Sequence, residues 1–195
     1  MSTGTRVLLA LCFAFVSAFA QAPSATPTAF TPIDASSRMH WLLVENLSPS
    51  SLADDVAVGA VDTWFKSPKE YNTHWTGFGE RTGLITGNYG IKSTMEAGLG
   101  SLWGEDPRYN QTEGLSKRSR VGNVIKMTFM ATNRSGGTMP AYSRYIALAG
   151  SNFLFNEWMP TSQATVSQAL LRTGLSFLSR MSENAYKEFI ARKTK

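Results

Sequence analysis

The stretch GFGERTGLITGNYG, from Gly77 to Gly90, carries five glycines in fourteen residues. Three readings compete for it: a phosphate-cradling loop, flexible filler, or a helix smoothed so that another segment can lie against it. A dinucleotide or phosphate loop needs an apolar strand feeding it and a helix N-terminus behind it. The residues before it, Tyr71-Asn72-Thr73-His74-Trp75, are no buried strand, and no Lys-Ser or Lys-Thr follows. The spacing says more. Gly79, Gly83 and Gly87 lie four apart, and Gly90, Thr94 and Gly98 continue the interval after one three-residue step. On a helix such residues share a face. Each glycine sacrifices about 1 kcal/mol of helix propensity, which close packing of a neighbour would have to offset. Gly79, Gly83, Gly87, Gly90 and Gly98 are therefore read as a helix-packing face. The same density of glycine also suits a broken helix starting only after Gly79 or Gly83.

Outward from this stretch, apolar residues recur at helical spacing. Met39, Leu42, Leu43 and Leu47 form one stripe, and Leu52, Val56, Gly59, Ala60 and Thr63 another. Ala141 to Phe155 reads as a helix stopped by Pro160. Ser162 to Ala191 reads as a long amphipathic helix with its stripe through Val166, Leu170, Thr173, Phe177, Met181, Ala185 and Phe189. Thr31-Pro32, Ser48-Pro49, Ser67-Pro68 and Asp106-Pro107 each place a capping oxygen before a proline, which suits a helix start. Glu70 falls where a capping box wants it. The fold expected is an all-α bundle of five or six helices. The alternative is a small outer-membrane β-barrel, on the alternation within Ile85 to Leu99, the run Ile125 to Phe129 and the turn-like Asn133 to Gly137.

The chain begins with an address. Arg6 precedes an apolar run from Val7 to Phe19 ending in Ala18-Phe19-Ala20, a secretory signal with cleavage expected before Gln21. Residues 1–20 are assigned to that signal, 21–34 to a disordered lead-in rich in Pro, Ala, Ser and Thr, and 35–195 to one helical domain. Cys12 is the only cysteine, so the mature chain of about 175 residues forms no disulfide and has no thiolate metal site. With Arg6 gone, 18 of the 19 basic residues face 14 acidic ones, net +4, a bias that permits contact with anionic lipid. Lys117, Arg118 and Arg120, and the tail Arg192, Lys193 and Lys195, gather the positive charge, too sparsely for a nucleic-acid interface.

His40 and His74 are the only histidines, and neither an HExxH nor a G-x-S-x-G pattern occurs. No catalytic, cofactor or metal residue is nominated. A secreted hydrolase-like enzyme is the alternative function, and a pocket gathering His74 with Glu80, Asp106 or Arg108 would favour it.

Ser48-Pro49, Ser67-Pro68-Lys69-Glu70, Gly77-Phe78-Gly79-Glu80-Arg81-Thr82-Gly83, the turn Asp106-Pro107-Arg108-Tyr109 and Lys187-Glu188-Phe189 follow one another in an order that resembles an uncharacterised family of exported bacterial proteins. Its members carry a histidine shortly before the Asp-Pro-Arg-Tyr turn, where this chain has Gly104-Glu105. The resemblance implies a helical fold and export, and supplies no activity, cofactor or substrate. The function expected is that of a periplasmic or cell-envelope structural or interaction module. Charges punctuate every long segment, so peripheral attachment to membrane lipid or to an envelope protein is expected rather than a clean span.

Overall fold

The computed structural model describes residues 31–111 and 116–191. The expected signal, most of the lead-in and the basic tail from 192 onward lie outside the described residues. Among those described, six α-helices surround one another: α1 (Ala35–Leu47), α2 (Pro49–Trp64), α3 (Trp75–Trp103), α4 (Lys117–Phe129), α5 (Tyr142–Leu154) and α6 (Val166–Phe189). Three short strands, β1 (Glu105–Asp106), β2 (Met130–Asn133) and β3 (Thr138–Pro140), pair antiparallel in that order. The fold is an all-α bundle with a small sheet at one end. The barrel alternative is overturned: Ile85 to Leu99 lies within α3 and Ile125 to Phe129 within α4. Asn133 to Gly137 is indeed a turn, closing the β2–β3 hairpin with Thr132 opposite Thr138.

Helix starts follow their capping residues. The Asp34 carboxylate accepts from the Ser37 N–H at 2.7 Å, Ser48 precedes Pro49 at the first position of α2, and Thr165 caps α6. Three of the four proline marks open no helix, Thr31-Pro32 lying ahead of the Asp34 cap of α1. Ser67–Pro68, a cis bond, lies in the loop between α2 and α3, and Asp106-Pro107 lies in a turn where Asp106 Oδ1 accepts from the Arg108 N–H at 3.0 Å. Glu70 forms no capping box. It reaches across to accept from the Ser162 backbone and hydroxyl at 3.0 and 2.7 Å.

The glycine-rich stretch is one continuous helix of 29 residues, ended by Gly104 at φ 74°. It is the axis of the bundle. Along one side α1 and α2 run in succession antiparallel to it: Arg38 lies beside Ala97, Asn46 beside Ser93, Asp55 beside Thr86 and Gly59 beside Thr82. Along another side α5 also runs antiparallel, with Arg144 at Glu96 and Asn152 at Asn88. The helix α6 completes the bundle parallel to α3, meeting Asn152 through Thr173 and Ser176, and Glu96 through Arg180.

The expected glycine packing face needs correcting. A Cβ placed on Gly79, Gly83, Gly87 or Gly98 would meet nothing within 4 Å, and one on Gly90 only Asn46 Oδ1 at 4.0 Å. Close approach occurs at other glycines. A Cβ on Gly77 would sit 2.0 Å from the Asn72 carbonyl oxygen, on Gly59 2.2 Å from Thr82 Oγ1, and on Gly150 2.8 Å from Met95 Cε. Residues four apart do share a face of α3, but α1, α2 and α5 pack on the others.

A second correction concerns which faces point inward. Half of the buried apolar residues among those described are alanines, namely Ala97, Ala131, Ala141, Ala147 and Ala169, and the others are Trp41, Val124, Met127, Leu148 and Phe155. The largest fully buried side chains are polar or charged, among them Arg81, Glu105, Glu188, Asn152 and Asn184. The helix α6 is amphipathic as its spacing indicates, yet it turns Ala169, Arg180, Asn184 and Glu188 inward. Val166, Leu170 and Phe189 of the expected apolar stripe are exposed. This is the reverse of a water-soluble helix, whose apolar stripe faces the core.

Candidate functional site

Two features stand out from that arrangement: a charged network within the bundle and a charge-poor apolar surface around it. The network centres on Glu96 of α3. Its Oε1 accepts from Arg144 Nε of α5 at 2.9 Å and from Arg180 Nη2 of α6 at 3.4 Å. Arg180 Nη1 also reaches Glu45 of α1 and Glu183 of α6, each at 3.0 Å, and its Nη2 donates to the Pro107 carbonyl at 2.9 Å. Arg144 Nη1 donates to the Met127, Thr128 and Met130 carbonyls. One carboxylate and two guanidiniums thus tie together α1, α3, α5, α6 and the end of α4. A buried pair of this kind needs its remaining donors satisfied, and these carbonyls take up most of them, leaving Arg180 Nε buried without a partner among the described residues.

The Asp106-Pro107-Arg108-Tyr109 turn anchors the other end. Asp106 is buried and takes Arg108 in a two-pronged ion pair, with Nη2 to Oδ2 at 2.6 Å. The carboxylate beside it holds the Arg108 guanidinium above its ordinary pKa. Tyr109 donates to Glu188 at 2.9 Å and accepts from Asn123 at 2.9 Å. Burial, and then the bond to Glu188, push its hydroxyl above the usual tyrosine range. Arg120, one of the three basic residues at the start of α4, is directed inward at Glu188 at 2.8 Å. The turn is a structural junction between α3, α4 and α6.

Arg81 organises the opposite end. Fully buried, it donates to the carbonyls of Ser67, Pro68, Tyr71, Asn72 and Gly77 at 2.7–3.1 Å, binding the whole α2–α3 loop to the start of α3. Nothing local in the sequence marks it, because a lone arginine in a glycine-rich segment carries no signal of what surrounds it.

The structure does not gather the residues that would favour an enzyme. His74 precedes the first turn of α3, where its N–H donates to Asn72 Oδ1 at 2.9 Å, and Glu80 is exposed on the next turn. Asp106 and Arg108 follow the far end of the same 29-residue helix, about 40 Å away at 1.5 Å per residue. A cleft of about 480 Å³ opens between α1 and α3, lined by Arg38, Met39, Leu42, Thr94, Gly98 and Arg134, next to the open end of the glycine row. No histidine lines it.

The outer surface is the more unusual feature. Over α1, α2, α3, α5 and α6 the exposed residues include only two charged ones, Asp54 and Glu80. The five charged residues of α6, Arg172, Arg180, Glu183, Lys187 and Glu188, are all buried or half-buried, while Leu170, Leu171, Leu175 and Leu178 face outward. Apart from Lys126 of α4, exposed next to Met127 at the level of Arg144 and Glu96, the other exposed charges sit at the two ends. Lys66, Lys69, Glu70 and Glu157 mark the end where α2 meets α3, and Asp34, Lys117 and Arg134 the other. No helix among the described residues is, by overall composition, long and apolar enough to cross a membrane. No family model, curated protein or solved structure matches the chain.

Proposed function

We propose that this protein is an exported cell-envelope protein that works as a structural or interaction module attached to membrane lipid through the outer faces of its helices. The observation that carries the reading is the placement of large apolar side chains outside and charged ones inside. A water-soluble monomer rarely exposes contiguous apolar surface beyond a few hundred Å², and larger patches mark membrane or protein contact. Here Leu, Val, Ile, Phe and Trp side chains are exposed on all of α1, α2, α5 and α6. The helices are held together by hydrogen bonds and ion pairs rather than by a large apolar core, which is how helices associate where the surroundings are themselves apolar. The signal-like N-terminus supports export, and the net positive charge suits an anionic lipid surface. No catalytic role is assigned.

The test is flotation. The purified protein is diluted from detergent into vesicles of phosphatidylethanolamine and phosphatidylglycerol and centrifuged through a density gradient. It is expected to rise with the lipid at both low and high salt. Recovery as a monodisperse soluble species at the bottom of the gradient at low salt would remove lipid from the account.

A further inference from the structure

The attachment just described leaves its depth open, and the distribution of side chains along the bundle axis addresses it. Exposed tryptophans and tyrosines lie at two levels, with Phe129 and Phe153 exposed between them. Trp64 and Phe65 at the end of α2, Trp75 at the start of α3 and Trp158 after α5 mark one end, and Trp75 and Trp64 are 86% and 84% exposed. Trp103 at the end of α3 and Tyr142 at the start of α5 mark the other, their rings edge to face at 6.4 Å. Between Trp75 and Trp103 a straight helix rises about 42 Å, which matches the 40–45 Å of a bilayer with its headgroup regions. Amphipathic rings at both levels, charges beyond them and a charge-poor surface between them are the pattern of a bundle set in lipid. The overall hydropathy of α3, α5 and α6 is lowered by residues that do not face outward. Glu96, Arg144 and Arg180 are buried and paired within the bundle, the arrangement in which ionisable groups are tolerated at membrane depth.

We propose that the bundle is inserted among lipid acyl chains, with Trp64, Trp75 and Trp158 at one headgroup level and Trp103 and Tyr142 at the other, rather than resting on the surface. The inference rests on the membrane reading above and replaces the peripheral attachment expected from the charge punctuation. Leu170, Leu171, Leu175 and Leu178 of α6 and Val58 and Val61 of α2 meet the acyl chains. The row Gly83, Gly87, Thr94 and Gly98 offers them a smooth strip of helix backbone. Asp54 of α2 and Lys126 of α4 are the exposed charges between the two levels that this placement must accommodate.

The protein bound to the same vesicles is washed with alkaline carbonate and with high salt, then with detergent. Release only by detergent is expected. Release by carbonate after successful flotation would overturn insertion and leave surface attachment standing, whereas failure to float would overturn both. Depth is read separately, with brominated lipids and variants that keep one tryptophan, the others being replaced by phenylalanine. Fluorescence of Trp75 alone, or of Trp103 alone, is expected to be quenched more by bromines near the glycerol than by bromines deep in the chain. A tryptophan placed by Leu175→Trp, on the outer face of α6, is expected to show the opposite order. Equal, weak quenching of all three by both lipids would overturn the placement.

Discussion

Glu96→Ala is expected to destabilise the protein by about 3–5 kcal/mol, the size of effect seen when one partner of a buried ion pair is removed. Its carboxylate lies between Arg144 and Arg180, so the substitution leaves two buried guanidiniums without their shared anion. A domain's whole stability is about 5–15 kcal/mol, and the variant is expected to accumulate poorly. Two comparisons separate charge loss from general damage. Glu183→Gln, on the half-exposed side of the same network, is expected to cost under about 1 kcal/mol because Glu183 is itself partly solvated and Arg180 keeps Glu45 and Glu96. The double substitution Glu96→Met with Arg144→Met removes both members of the tightest pair. It is expected to recover much of the loss, since apolar replacements of a buried pair are commonly neutral or better. Arg180 there keeps Glu45 and Glu183. Denaturant unfolding of the detergent-solubilised protein measures all three. A single Glu96→Ala that costs no more than Glu183→Gln would mean that the network does not hold the helices.

The second large effect is expected at Gly77. A Cβ there would lie 2.0 Å from the Asn72 carbonyl oxygen and 2.9 Å from the Asn72 nitrogen, backbone atoms that cannot rotate away. The same carbonyl accepts from Arg81, and Asn72 Oδ1 accepts from the Gly77 N–H at 3.1 Å, so displacing one loosens the others. Gly77→Ala is expected to destabilise by about 1–3 kcal/mol or more through overpacking. Gly83→Ala, six residues on, faces open space and is expected to stabilise by up to about 1 kcal/mol, because alanine is the better helix former. Thermal melts of the pair decide between the two glycines. A melt in which Gly83→Ala is the more damaging would restore the packing face that the spacing alone suggests.

That reversal shows what was legible in the sequence. Four-residue spacing places Gly79, Gly83 and Gly87 on one side of a helix, and α3 is one helix, but spacing carries no information about which neighbour lies against that side. The period of α6 was equally legible, although the helix runs only from Val166 to Phe189 rather than from Ser162 to Ala191. Its orientation was not, because assigning the apolar stripe to the interior assumes that water lies outside. Lys92, Glu96, Arg144, Arg172 and Arg180 read as interruptions of apolar segments. The structure buries Glu96, Arg144 and Arg180 in mutual pairs between helices distant in sequence. The Asp106-Pro107-Arg108-Tyr109 turn was visible as a turn from Asp-Pro alone. Its bonds to Arg180 and to Glu188 span 73 and 79 residues and leave no local trace. The small sheet was missed because strands of two to four residues fall below any periodic signal, although the Asn133 to Gly137 turn was there to be read.

The inverted placement of side chains is the centre of this account, and the most direct measurement of it is the cost of trimming the outer face of α6. Leu171 and Leu175 are exposed, whereas Ala169 is fully buried two residues before Leu171. In detergent, Leu171→Ala and Leu175→Ala are each expected to shift unfolding by less than about 0.5 kcal/mol, as substitutions away from packed contacts do. Ala169→Leu is expected to cost about 1–3 kcal/mol by overpacking. Losses of about 2–5 kcal/mol for the two leucines, the ordinary result for a leucine in a protein core, would contradict the account.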